Sequence, residues 1–114
     1  MIVDDEPNIL LSLEFIFKKE GYKVFIARNG EEALGIIEES EPELVILDIM
    51  MPKVDGYEVC KHLKKNHQDT KVIFLTAKSK QQDVQRGLEA GADLYLTKPF
   101  STKDLVSKVK TLMN

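Results

Sequence analysis

Residues 44–56 read LVILDIMMPKVDG: the apolar run Leu44 to Leu47 stops at one carboxylate, Asp48, and a Met-Met-Pro turn leads to Gly56, which can open a helix. A strand that is apolar at every position is one covered on both faces, as in a parallel sheet flanked by helices. An acid at its carboxyl end lies where open α/β sheets bind ligands. Asp48 is therefore the first candidate functional residue.

Working outward, the same pattern of apolar run, polar end and amphipathic stretch recurs along the chain. Met1, Ile2 and Val3 meet Asp4, Asp5 and Glu6; Pro7 suits the first turn of a helix running to about Glu20 and stopped by Gly21. On that helix Ile9, Leu13, Ile16 and Phe17 share the packing face with Leu10 at its margin, while Leu11 and Phe15 lie on another side, as isolated exposed residues or as a docking patch. Lys23 to Ala27 reads as a second strand, and Asn29 with Glu32 caps a second helix that buries Ala33, Leu34 and Ile37. Helix 3 follows Gly56 with Val59, Cys60 and Leu63 inward. Val72 to Leu75 runs into Thr76 and Ala77, and Ser79 with Gln82 caps a helix that turns Val84 and Leu88 inward before Gly91. Leu94 to Leu96 leads to Thr97, Lys98 and Pro99, and Ser101 caps a last helix burying Leu105, Val109 and Leu112. Five β-then-α units over residues 1–114 imply a single domain, a doubly wound parallel sheet with helices on both faces and right-handed crossovers.

Composition narrows the function. With 114 residues, 43% hydrophobic and 31% charged, the chain is the size of one ordinary domain, and a net charge of −3 offers no basic footprint for direct nucleic-acid binding. Cys60 is the only cysteine, so an internal disulfide is excluded. There is no signal-peptide pattern and no apolar run of membrane-spanning length, which makes the cytoplasm the default compartment. His62 and His67 are five apart, a spacing that does not place two side chains on one helical face, and they are not read as a metal or phosphodonor pair.

Parallel strands bring their polar ends to one edge: Asp4 and Asp5, Asp48, Thr76 and Lys98. Each alone has a plain reading as a cap, turn or surface residue. Together they put three carboxylates where like charge is costly without a cation, and oxygen ligands with room for water suit Mg²⁺. Around such an ion a carboxylate can act as nucleophile and form an acyl phosphate, while a hydroxyl and an ammonium neutralise the equatorial oxygens of the moving group. Thr76 and Lys98 supply these two groups, and the small Ala77 leaves space beside them.

Asp4-Asp5-Glu6, LVILDIMMPKVDG, Thr76-Ala77 and Lys98-Pro99-Phe100 together resemble the receiver domains of two-component response regulators, over essentially the whole chain. The resemblance implies a flavodoxin-like (βα)5 fold with strand order 2-1-3-4-5. It implies that Asp48 accepts a phosphoryl group from a sensor histidine kinase or histidine phosphotransfer protein, with Mg²⁺ held by Asp5, Asp48 and the main-chain carbonyl of Met50, and by Asp4 through water. Thr76, Ala77 and Lys98 would bind the phosphate, and the Lys98-Pro99 peptide would be cis. Thr76 and Tyr95 would be the switch pair, Tyr95 turning inward as the face of helix 4, strand 5 and helix 5 changes. Such a domain is not an enzyme beyond promoting its own phosphorylation and dephosphorylation. It signals to a downstream protein or a fused effector domain; homodimerisation stays open. The short start and an end directly after helix 5 favour a domain cut from a larger regulator. A receiver-like interaction module not controlled by phosphorylation is the alternative. A Mg²⁺-dependent phosphohydrolase is weaker, because Met50 stands where such enzymes carry a second acid.

Overall fold

In the computed structural model, which describes residues 1–114, the apolar run Leu44–Leu47 forms β3 with all of its side chains buried. The remaining elements follow in strict alternation. These are β1 (Ile2–Val3), α1 (Pro7–Lys19), β2 (Ile26–Ala27), α2 (Gly30–Ser40), α3 (Gly56–Asn66), β4 (Lys71–Thr76), α4 (Gln81–Glu89), β5 (Leu94–Thr97) and α5 (Thr102–Met113). All neighbouring strands are parallel, in the order β2-β1-β3-β4-β5, the flavodoxin-like arrangement.

Side chains alternate across each strand, so one sheet feeds two core layers. Val45 and Leu47 of β3 join Ala33 and Ile37 of α2 and Val59, Cys60 and Leu63 of α3 on one face. Leu44 and Ile46 join Leu10, Leu13 and Phe17 of α1 and Leu105 and Val109 of α5 on the other. Leu13 is 1% exposed, and truncating such a residue to alanine costs about 2–5 kcal/mol.

Three local features differ from the sequence reading. Leu10 lies in the middle of the buried stripe of α1, with Ile9 and Ile16 only half-buried at its edges. The second strand is confined to Ile26–Ala27 because its ladder with β1 has only the pairs Ile2↔Ile26 and Val3↔Ala27. Helix α4 starts after Lys80 without a side-chain cap, and Leu88 is 50% exposed while Gly87 is buried. The reason lies beneath α4. An aromatic ring, that of Tyr95, fills the space under Gly87, so the sheet-facing position accepts a larger residue only if that ring moves. The caps at Asn29 and Ser101 form as read, accepting the N–H groups of Glu32 and Asp104 at 2.8 and 3.2 Å.

Candidate functional site

Register decides which strand ends meet. Val3 pairs with Leu47, so Asp4 and Asp48 are the next residues on adjacent strands, and both carboxylates are buried, Asp48 to 4% exposure. Thr76 pairs with Thr97, and the Lys98 N–H donates to the Thr76 carbonyl at 2.8 Å. The Lys98-Pro99 peptide is cis. From that position the Lys98 side chain crosses the edge of β4. Its Nζ donates to Asp4 Oδ2 at 2.9 Å, and to Asp48 Oδ2 and Glu6 Oε1 at 3.4 Å each. Asp48 Oδ1 accepts the Met50 N–H at 3.2 Å, and Asp4 Oδ1 accepts the Glu6 N–H at 2.9 Å.

Gly56 closes the loop after Asp48. A Cβ there would collide with the Asp48 carbonyl oxygen and lie 2.7 Å from Ile49 Cα. Without one, the Gly56 N–H reaches the Ile49 carbonyl at 3.1 Å, and Asp55 caps α3 by accepting the Glu58 N–H.

Carboxylate oxygens of Asp4, Glu6 and Asp48 lie within 4.8 Å of one another. One ammonium among three carboxylates leaves two negative charges. Burial pushes the Asp4 carboxyl above its ordinary 3.8, the Lys98 and Glu6 hydrogen bonds pull it back in part, and the charge on Asp48 adds to the rise. For Lys98, burial works against the charged form, but the bond to Asp4 and the fields of Asp48, Asp4 and Glu6 raise its pKa on balance. Hard oxygen donors with two charges uncompensated are a fitting environment for a hard divalent cation such as Mg²⁺. Asp5 is exposed and its carboxylate stands outside this group. Glu6, which the sequence reading passed over, takes the third place. It is the N-cap residue of α1, at the corner where the chain turns from the strand edge into the helix, and its sequence signal was its place in the Asp4-Asp5-Glu6 motif.

Thr76 is fully buried and Ala77 beside it is exposed. The Lys78 N–H donates to Thr76 Oγ1 at 3.4 Å, and the Lys78 carbonyl accepts the Tyr95 hydroxyl at 2.8 Å. One residue of the β4–α4 loop thus holds both Thr76 and Tyr95. The Tyr95 ring already lies inward, 5.8 Å between centroids from Phe74 and against Gly87, and burial raises its phenol far above the ordinary value. Leu11 and Phe15 on α1 are 64% and 70% exposed.

The two histidines are not where helical spacing puts them. His62 and His67 have ring centroids 6.0 Å apart and share Glu38. The physical reason is that α3 ends at Asn66. His67 closes it at φ −139° and ψ 62°, outside the helical periodicity.

The family profile of the response regulator receiver domain matches residues 1–110. Solved structures agree. The BeF3-activated DrrB receiver domain is 38% identical with a TM-score of 0.92, over 98% of this chain and 93% of that one. A CheY-like receiver domain protein from Methanospirillum hungatei is 36% identical with a TM-score of 0.93, over 98% and 90%. The signal receiver domain of a signal transduction histidine kinase from Syntrophus aciditrophicus is 40% identical with a TM-score of 0.89, over 98% and 86%.

Proposed function

The chain belongs to the response regulator receiver domain family, and we propose that it is a phosphorylation switch whose phosphoacceptor is Asp48. The observation that carries this reading is the pair of buried carboxylates, Asp4 and Asp48, bridged by the Lys98 ammonium at the carboxyl edge of the sheet. A carboxylate largely kept from water, at the same sheet edge as the exposed Ala77, is suited to act as a nucleophile.

In the proposed reaction an Asp48 oxygen attacks the phosphorus of a phosphohistidine on a sensor histidine kinase or phosphotransfer protein. The O–P bond forms, the P–N bond breaks, and its electron pair leaves on the imidazole. Mg²⁺, when bound, would neutralise charge on the phosphoryl oxygens; Asp48, the Met50 main-chain carbonyl and Asp5 would hold it, the exposed Asp5 side chain turning toward the edge in place of Glu6, and Asp4 acting through water. Lys98 exchanges part of its contact with Asp4 and Asp48 for a phosphoryl oxygen, and Thr76 Oγ donates to another, with Ala77 leaving the space open.

Thr76 can serve as the switch through Lys78. Drawing its hydroxyl toward the phosphoryl group releases the long bond from the Lys78 N–H. The β4–α4 loop then resettles with the Tyr95 hydroxyl still on the Lys78 carbonyl, which favours the inward packing of Tyr95 that the chain already adopts. That is a population shift toward one arrangement of the α4–β5–α5 face, read by a downstream protein or a fused effector domain. No helix is long and apolar enough to cross a membrane, and we place the switch in the cytoplasm with its kinase partner's catalytic part.

Intact mass after incubation with a small-molecule phosphodonor, with and without Mg²⁺, tests the proposal. One added phosphoryl group that requires both Mg²⁺ and Asp48, being absent in Asp48→Asn, is the expected result. No addition to a folded, Mg²⁺-binding wild type would overturn it in favour of a docking module independent of phosphorylation.

A further inference from the structure

Helices in this sheet run against the strands, so the ends of α2 and α3 lie at the edge opposite Asp48. There Glu38, on the last turns of α2, faces His62 near the end of α3 and His67 just past it. His62 Nε2 is 2.7 Å and His67 Nε2 is 3.2 Å from the same oxygen, Glu38 Oε1, and the three donor atoms all lie within 4.8 Å of one another. We propose that Glu38, His62 and His67 form a binding site for a first-row divalent transition-metal ion, for which Zn²⁺ is the natural probe.

The donor set carries the assignment. Two imidazole nitrogens and one carboxylate oxygen, with a fourth position open to water, make a three-ligand zinc site. In tetrahedral coordination at about 2.0–2.2 Å, neighbouring donors stand about 3.3–3.6 Å apart. The two Glu38 contacts, 2.7 and 3.2 Å, would each have to open by less than about 1 Å to admit an ion. Both imidazoles bear on a single oxygen with ring nitrogens that can also ligate.

The ligands are also positioned by the fold. The His67 N–H closes α3 on the Leu63 carbonyl, and the His67 side chain is 15% exposed. Asn66 Nδ2 lies 3.2 Å from His62 Nδ1, holding the ring from behind. With an ion on Nε2, Nδ1 carries the proton and the Asn66 amide turns to accept from it, the usual support for a ligating histidine. A hard ion such as Mg²⁺ prefers oxygen-only surroundings and belongs in the acidic pocket instead. An ion here would fasten α2 to the end of α3 independently of phosphorylation.

Isothermal titration with Zn²⁺ in excess Mg²⁺, which occupies the acidic pocket, tests the site on the wild type, His62→Ala, His67→Ala, Glu38→Gln, Asn66→Ala and Asp48→Asn. Circular dichroism first establishes that each is folded. The expected result is one equivalent bound by the wild type and Asp48→Asn, with affinity reduced at least tenfold in each variant of the three ligands and about tenfold in Asn66→Ala. Because Glu38 is more than half exposed, Glu38→Gln serves as the ligand variant should a histidine variant not fold. Absence of Zn²⁺ binding to the wild type, binding undiminished in the folded ligand variants, or binding lost only in Asp48→Asn would each overturn the site.

Discussion

Replacing Gly87 by alanine tests how Tyr95 is held beneath α4. A Cβ at this position would lie 2.8 and 2.9 Å from two Tyr95 ring carbons and 3.1 Å from a Phe74 ring carbon, so the Tyr95 ring has to swing away. That movement gives up the hydroxyl bond to the Lys78 carbonyl, worth about 0.5–1.5 kcal/mol net. It also gives up the ring contact with Phe74, worth about the same. Against these losses, alanine is better than glycine inside a helix by about 1 kcal/mol. The balance is a destabilisation of about 0–2 kcal/mol. In a Tyr95→Ala background only the 3.1 Å approach to Phe74 remains, with the Tyr95 volume free for that ring to yield into, and the same substitution should stabilise by up to about 1 kcal/mol. The four proteins form a double-mutant cycle with a coupling energy of about 1–3 kcal/mol, read from urea unfolding followed by far-ultraviolet circular dichroism. Equal stabilisation by Gly87→Ala in both backgrounds would refute the packing of Tyr95 against Gly87.

Other outcomes follow from the same geometry. Mg²⁺ should raise the melting temperature, and Asp5→Asn should diminish that rise more than Glu6→Gln; the reverse order would assign the ligand role to Glu6. Asp4 has a folded-state pKa above its ordinary 3.8, so in Mg²⁺-free buffer its contribution to stability is fully present below 3.8 and is lost as pH rises through the folded value. Asp4→Asn should remove that loss, and an unchanged acid limb in pH-dependent urea melts would contradict it. Met50 is 54% exposed and apolar, unable to orient a hydrolytic water; Met50→Asn should speed decay of the phosphorylated state in a mass-resolved time course. Leu11→Ser with Phe15→Ser should slow phosphotransfer from the kinase or phosphotransfer protein without loss of fold, since those side chains are exposed on α1, the helix that begins at the site. An unaltered rate would leave them as isolated surface residues.

Much of the architecture is legible because local rules and tertiary needs coincide. The run Leu44–Leu47 is apolar throughout and ends at an acid, the pattern expected of a strand covered on both faces. Asn29, Ser101 and Gly56 punctuate their helices where their side chains, or the lack of one, dictate. The placement of Leu88 was not legible, because hydrophobic periodicity counts α4 alone, whereas the space under that helix is taken by Tyr95 from β5. The three-carboxylate group was legible only in part. Asp4 and Asp48 follow from strand ends, but whether Asp5 or Glu6 turns toward them depends on how the chain bends into α1, which no spacing rule encodes.

By itself, then, the sequence determines the alternation of strands and helices, the acids, hydroxyl and ammonium that end the strands, and through these motifs the family. These are properties of neighbouring residues and of period, which local propensity and burial specify. The tertiary structure alone decides what lies beside what. It carries the Lys98 ammonium across β4 to Asp4, Asp48 and Glu6, ties Thr76 and Tyr95 to the N–H and the carbonyl of one residue, Lys78, and gathers Glu38, His62 and His67 around one oxygen. Each of those meetings depends on strand register, on the ending of a helix, or on a ring's occupying a volume, and such distances are set only when the whole chain packs.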